Sequence, residues 1–152
     1  MIHGMFSVER DFAAPVERVW AGYADPEIRS RWHLIPGRDS RHELDFRVGG
    51  SESLTGSFAP TGTVEQIANV ARFHDIVDGE RIVASYEAVV NGVLRWVSLL
   101  TLEFAATTTG TLLTHTEQYA FLAWTGDGAD DVAHLKGSIP LRLNALAGLV
   151  EP

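Results

Sequence analysis

The chain has 152 residues, no cysteine, a net charge of −8 and a pI near 5.1. The acidity weighs against nucleic acid, which needs a basic face to displace counterions, and against an anionic membrane surface. The missing cysteine excludes a disulfide framework, a thiolate nucleophile and a Cys-type zinc site.

Met1 to Ser7 has no basic start and no apolar run, so no signal peptide is expected. No stretch reaches the roughly 20 apolar residues of a membrane span. A cytoplasmic protein of one domain, residues 1–152, is the expectation.

In chain order, Phe6, Val8, Arg10 and Phe12 alternate with polar residues, which reads as a half-buried strand with Arg10 on its apolar face. Pro15 opens a short helix whose inner face carries Val16, Val19, Trp20 and Tyr23. Asp25 caps a second short helix, with Pro26 at its first position and an end near Trp32. Pro36-Gly37 is a loop. A meander follows. Glu43 to Val48 reads as a strand, Gly49-Gly50 as a turn, and Ser51 to Phe58 as the return. Thr63 to Ile76 is a long strand, irregular near Ala68-Asn69. Arg81 to Val90 and Val93 to Phe104 flank Asn91-Gly92, the strongest hairpin signal in the chain. Thr111 to Phe121 is the last strand.

Asp127 to Val150 reads as one long helix. Val132, Leu135, Ile139, Leu143, Leu146 and Val150 form its apolar stripe. Asp127, Asp130 and Asp131 sit at the start, where the macrodipole favours negative charge. Pro140 lies inside it, so a kink, or two segments meeting near Ser138 and Ile139, is expected. The fold class is α+β. A curved antiparallel sheet of about seven strands grips the long helix, and two short helices follow the first strand.

Parity places Trp96, Ser98, Leu100, Leu102 and Phe104 on one face, with Ile82, Ala84, Tyr86 and Ala88 beside them. Leu113, His115, Glu117, Tyr119 and Phe121 alternate on the final strand, and we assign these aromatic-bearing sets to the concave side. Arg10, His115 and Glu117 are its polar candidates. Trp32, Tyr86, Trp96 and Trp124 are candidate aromatic lining. His33 reads as an exposed loop histidine near the cavity mouth, and His3, His42 and His134 as incidental. The histidine spacing matches no metal motif, and no Gly-x-Ser-x-Gly elbow or phosphate-binding loop occurs.

The series Phe12-Ala13-Ala14-Pro15-Val16-Glu17-Arg18-Val19-Trp20, Ala24-Asp25-Pro26-Glu27, Phe46-Arg47-Val48-Gly49-Gly50, Asp75-Ile76-Val77, Glu80-Arg81-Ile82-Val83 and Thr116-Glu117-Gln118 resembles the SRPBCC superfamily with its START-like (Bet v 1-like) helix-grip fold. More narrowly, it resembles the family named for homologues of the activator of Hsp90 ATPase. Two departures stand out: Asp78-Gly79 replaces a proline often found there, and Pro140 replaces a helix former. The resemblance implies a cavity between sheet and long helix. It also places the first and last strands side by side, so that Arg10 meets Glu117, either as a structural salt bridge or as a ligand-orienting pair.

The expected ligand residues are Arg10, Trp32, Tyr86, Trp96, His115, Glu117, Tyr119 and Phe121. The expected function is binding of a small hydrophobic or aromatic molecule, with no cofactor, metal, nucleic acid or membrane partner. The alternatives are a cyclase- or hydrolase-like enzyme using His115 or Glu117 as acid or base, and a chaperone-regulating interaction domain. Ser51 to Phe58 is a candidate edge strand for a homodimer.

Overall fold

The computed structural model describes residues 1–37 and 39–152. Its elements run β1 (Ile2–Phe12), α1 (Val16–Ala24), α2 (Pro26–Trp32), β2 (Arg41–Leu44), β3 (Ser51–Phe58), β4 (Glu65–Val77), β5 (Arg81–Val90), β6 (Val93–Ala106), β7 (Thr111–Phe121) and α3 (Ala129–Val150). Among the described residues seven strands form one curved antiparallel sheet in the order β1-β7-β6-β5-β4-β3-β2. The meander from β2 to β7 needs only short turns. β1 closes on β7, in register from Ile2 opposite Phe121 to Phe12 opposite Thr111.

Local chemistry sets the helices. Pro15 precedes α1, where a missing N–H costs nothing. Asp25 Oδ1 accepts from the backbone N–H groups of Glu27 (2.9 Å) and Ile28 (3.4 Å), capping α2. α3 buries Leu135, Ile139, Leu143, Leu146, Ala147 and Val150, and both its ends are fastened. Near its start, Asp131 takes the Arg95 guanidinium at 2.7 Å and the Thr125 N–H at 2.8 Å. Just past its end, Glu151 Oε2 accepts from Ala13 N–H at 2.8 Å. The helix is thereby fixed across the concave face. From Ile139 onward its stripe joins Phe12, Val19, Trp20, Leu102, Phe104 and Leu113 in the main core.

Four expectations change. α3 is continuous from Ala129 to Val150 and does not divide at Ser138 and Ile139. Pro140 and Lys136 are both exposed, so the carbonyl that loses its N–H partner lies on the hydrated side of the helix. β2 is Arg41–Leu44 rather than Glu43 to Val48. Past Leu44 the chain folds back, with Gly50 N–H bonding Arg47 O, and Phe46 packs edge-on against Trp20 and Phe73 instead of continuing a ladder. The irregularity in β4 is a bulge between Phe73 and Asp75, not near Ala68-Asn69. β3 is interior, between β2 and β4, so the sheet edges are β1 and β2.

Candidate functional site

The sheet register fixes the concave face. Ile82 is opposite Leu102, Ala84 opposite Leu100, Tyr86 opposite Ser98 and Ala88 opposite Trp96. On the other side of β6, Leu100 faces Glu117 and Leu102 faces His115. The parity reading of these strands therefore holds. Between this face and α3 is a cavity of about 110 Å³. Its floor is Ala71, Leu100 and Asn69, and its α3 wall is Ser138, Ile139, Arg142 and Leu143. Tyr23, Arg29, Trp32 and His33, from α1, α2 and the residue after it, close one side. A second hollow of about 30 Å³, walled by Phe46, Phe73 and Ile82, shares Tyr23, Arg29, Glu52, Ala71 and Leu100 with the first.

Two buried carboxylates dominate the polar chemistry. Glu52 on β3 takes Arg29 in a two-point pair, Nε to Oε2 and Nη2 to Oε1, both 2.8 Å. His42 Nε2 donates to Glu52 Oε2 at 2.8 Å, and His33 Nε2 stands 3.5 Å from Oε1. Burial pushes the Glu52 carboxyl up, but the Arg29 charge, the hydrogen bonds from Arg29 and His42 and the nearby His33 hold it well below the ordinary range. Arg29 is also stacked over Trp32, 4.5 Å from the ring centroid. The Trp32 indole N–H donates to Gly22 O at 2.8 Å, which orients the ring.

Glu117 on β7 is 0% exposed. Tyr86 O–H donates to its Oε1, and His115 Nε2 bonds its Oε2 at 3.0 Å. Trp96 Nε1–H donates to the Tyr86 oxygen at 3.1 Å, completing a chain from indole to phenol to carboxylate to imidazole. Burial raises the Glu117 carboxyl, but the hydrogen bonds from His115 and Tyr86 outweigh it, so the group is held low and ionised. Burial, then the Glu117 charge, pushes the Tyr86 phenol up, which keeps it a donor. Ser98 Oγ is buried on the same face and, among the described residues, has no well-formed hydrogen bond.

Of the eight residues expected to bind ligand, Trp32, Tyr86, His115 and Glu117 line the cavity. Trp96 stands behind Tyr86. Tyr119 and Phe121 pack with Leu135 in a separate core cluster and do not line it. Arg10 does not meet Glu117, which is opposite Phe6; Arg10 is opposite Leu113, four residues along the strand, and bonds Asn144 Oδ1 on α3. Trp124 is 40% exposed, away from the cavity. His33 is buried, not an exposed loop residue, and His42 is a partner of Glu52, not incidental.

Arg29, Glu52 and Arg142 were missed, although each carried a signal. Glu52 is in phase with Leu54 on the buried face of β3. Arg29 is three residues before Trp32 on α2. Arg142 is three after Ile139 and four before Leu146, on the apolar stripe of α3.

The family model described as Activator of Hsp90 ATPase homolog 1-like protein matches residues 13–151. An uncharacterised protein from Rhizobium leguminosarum, of known structure, is 32% identical over 98% of this chain and 95% of its own, with a TM-score of 0.84. Protein Mll3558 from Rhizobium loti is 33% identical over 97% and 96%, with a TM-score of 0.78. Protein CV1439 from Chromobacterium violaceum is 25% identical over 97% and 98%, with a TM-score of 0.71. No curated protein matches the chain. Among the described residues no helix is long and apolar enough to cross a membrane, and no cluster of three metal-ligating side chains occurs.

Proposed function

Because this chain belongs to the Activator of Hsp90 ATPase homolog 1-like family, we propose that it binds a small aromatic or hydrophobic molecule between the concave sheet and α3. The fold type commonly takes hydrophobic ligands, and the site residues proposed here are Trp32, Tyr86, Leu100, His115, Glu117 and Arg142. The observation that carries the reading is the cavity itself. It combines an apolar floor with a few polar groups that their neighbours hold in place, which is the makeup of a ligand pocket.

Its volume limits the ligand. Sites for drug-sized molecules run to roughly 300–1,000 Å³, whereas an apolar hollow of about 150 Å³ takes up benzene. A cavity of about 110 Å³ fits one ring or a short branched chain, not a lipid tail or polyketide. Calorimetric titration with benzyl alcohol, phenol and cyclohexanol tests this. Saturable one-to-one binding that is lost in Ala71→Phe supports the reading. Equal binding by the filled variant, or no binding at all, contradicts it.

One observation favours a second reading, proton transfer on the bound ligand. Glu117 is an ionised carboxylate on the cavity wall, fixed by Tyr86 and His115. Such a group can accept a proton. It ranks second because a carboxyl held below its usual range is a weak base, far from the near-neutral value that general bases are tuned to. Faster exchange of the methyl hydrogens of acetophenone in heavy water with wild type than with Glu117→Gln would favour it; equal rates would dismiss it.

A further inference from the structure

Arg142 is the charged group of the cavity that the network above leaves unmatched. It projects from the apolar stripe of α3, is only partly accessible, and lines the cavity. The other charged groups there have local partners: Arg29 pairs with Glu52, and the Glu117 carboxylate keeps its charge while its oxygens take hydrogen bonds from Tyr86 and His115. Among the described residues no carboxylate comes within ion-pair distance of Arg142. Its one side-chain hydrogen bond among the described residues is from Nη1–H to His33 Nδ1, at 3.3 Å. A guanidinium has five donors in a planar fork. A cation taken out of water without an acceptor is costly.

His33 has one consistent protonation state in this setting. Burial, then Arg29, holds the ring well below its ordinary value, so it is neutral. Nδ1 accepts from Arg142, so the ring proton is on Nε2, which faces Glu52 Oε1. Glu52 therefore orients His33, and His33 orients Arg142. The guanidinium is aimed by a built chain of contacts, with most of its fork unused.

We infer that the ligand carries one carboxylate, which docks on Arg142 while its apolar body rests on Leu100, Ile139 and Leu143. This deepens the binding reading above and rests on it. A planar monoanion matches the guanidinium fork at two points. A phosphate dianion suits the site less, because it adds bulk to a small cavity and brings a second negative charge near Glu52 and Glu117.

Titration of benzoate, benzamide and benzyl alcohol into the intact chain at pH 7 tests the inference. Wild type should bind benzoate about tenfold more tightly than either neutral analogue, the size of one charge-assisted hydrogen bond. Arg142→Gln should remove that preference, so that benzoate binds no more tightly than benzyl alcohol. Arg142→Lys should keep part of it, since it keeps charge without the fork. Equal binding of benzoate and benzyl alcohol by wild type overturns the carboxylate inference and leaves the cavity reading standing; that comparison needs no variant to fold. Benzoate affinity unchanged in Arg142→Gln also overturns it. Failure of all three probes to bind overturns both.

Discussion

Arg29 and Glu52 meet through two parallel hydrogen bonds of 2.8 Å, one from Nε and one from Nη2, joining α2 to β3. Both side chains are nearly withdrawn from solvent, at 11% and 7% exposure. Two charges in that position attract strongly only while both are present. Glu52→Gln leaves Arg29 buried without a counter-charge and weakens the hold on His33 and His42. Urea denaturation should show a loss of about 3–5 kcal/mol. The double replacement Arg29→Met with Glu52→Leu should cost less than Glu52→Gln alone. An effect below about 1 kcal/mol for Glu52→Gln would mean that the pair is solvated.

Acid should destabilise the protein in two stages. His33 is held below its unfolded value of 6.5 by burial, then by Arg29. The unfolded chain therefore binds a proton that the folded chain refuses, and stability falls as pH drops below about 6.5. Glu52 and Glu117 are held below their unfolded value of 4.5. Their contribution is present above that pH and is lost as pH falls through it towards the folded values. Denaturation midpoints measured between pH 8 and pH 3 should decline over both windows. His33→Gln should flatten the first decline and leave the second. A flat profile from pH 7 to pH 5 in wild type contradicts the assignment of a neutral His33.

Gly22 on α1 faces Leu146 on α3. A Cβ added there would come within 2.5 Å of Leu146 Cδ1, and Leu146 is 0% exposed. Alanine improves helix propensity by about 1 kcal/mol, but overpacking a filled core costs about 1–3 kcal/mol. Gly22→Ala should therefore lower the melting temperature, with a net loss of about 1 kcal/mol. Adding Leu146→Val should recover part of that loss. A melting temperature raised by Gly22→Ala would show that Leu146 yields freely.

Pro140 stands on the solvent side of α3 and removes a backbone hydrogen bond. Pro140→Ala should stabilise the chain by about 1–3 kcal/mol, up to the full propensity difference. Thermal melts measure this. No gain would mean that the helix is already bent into a form that alanine cannot use.

The scaffold was legible because its signals are periodic and local. The alternation in β5, β6 and β7 predicts their shared face, and Asn91-Gly92 fixes the hairpin that sets their register. The long helix was legible from Leu135, Ile139, Leu143 and Leu146. Outside the strands, Trp32 on α2 was the one expected ligand residue that lines the cavity. Tyr86, His115 and Glu117 follow from parity, whereas the partners of Glu52 come from α2, the loop after it and β2. No sequence period relates those segments, and only the closed fold brings them together. Arg10 failed for a related reason. Being on neighbouring strands did not make it a partner of Glu117, because the register offsets them by four residues.

The account stands or falls on whether a small ring enters the space under α3. Methyl NMR of the intact chain titrated with benzyl alcohol reads this directly. Saturable shifts concentrated at Leu100, Ile139 and Leu143, with Leu99 and Val70 on the outer face of the sheet unmoved, are the predicted result. Unperturbed Leu100, Ile139 and Leu143 methyls at saturating benzyl alcohol, or shifts confined to Leu99 and Val70, would contradict it.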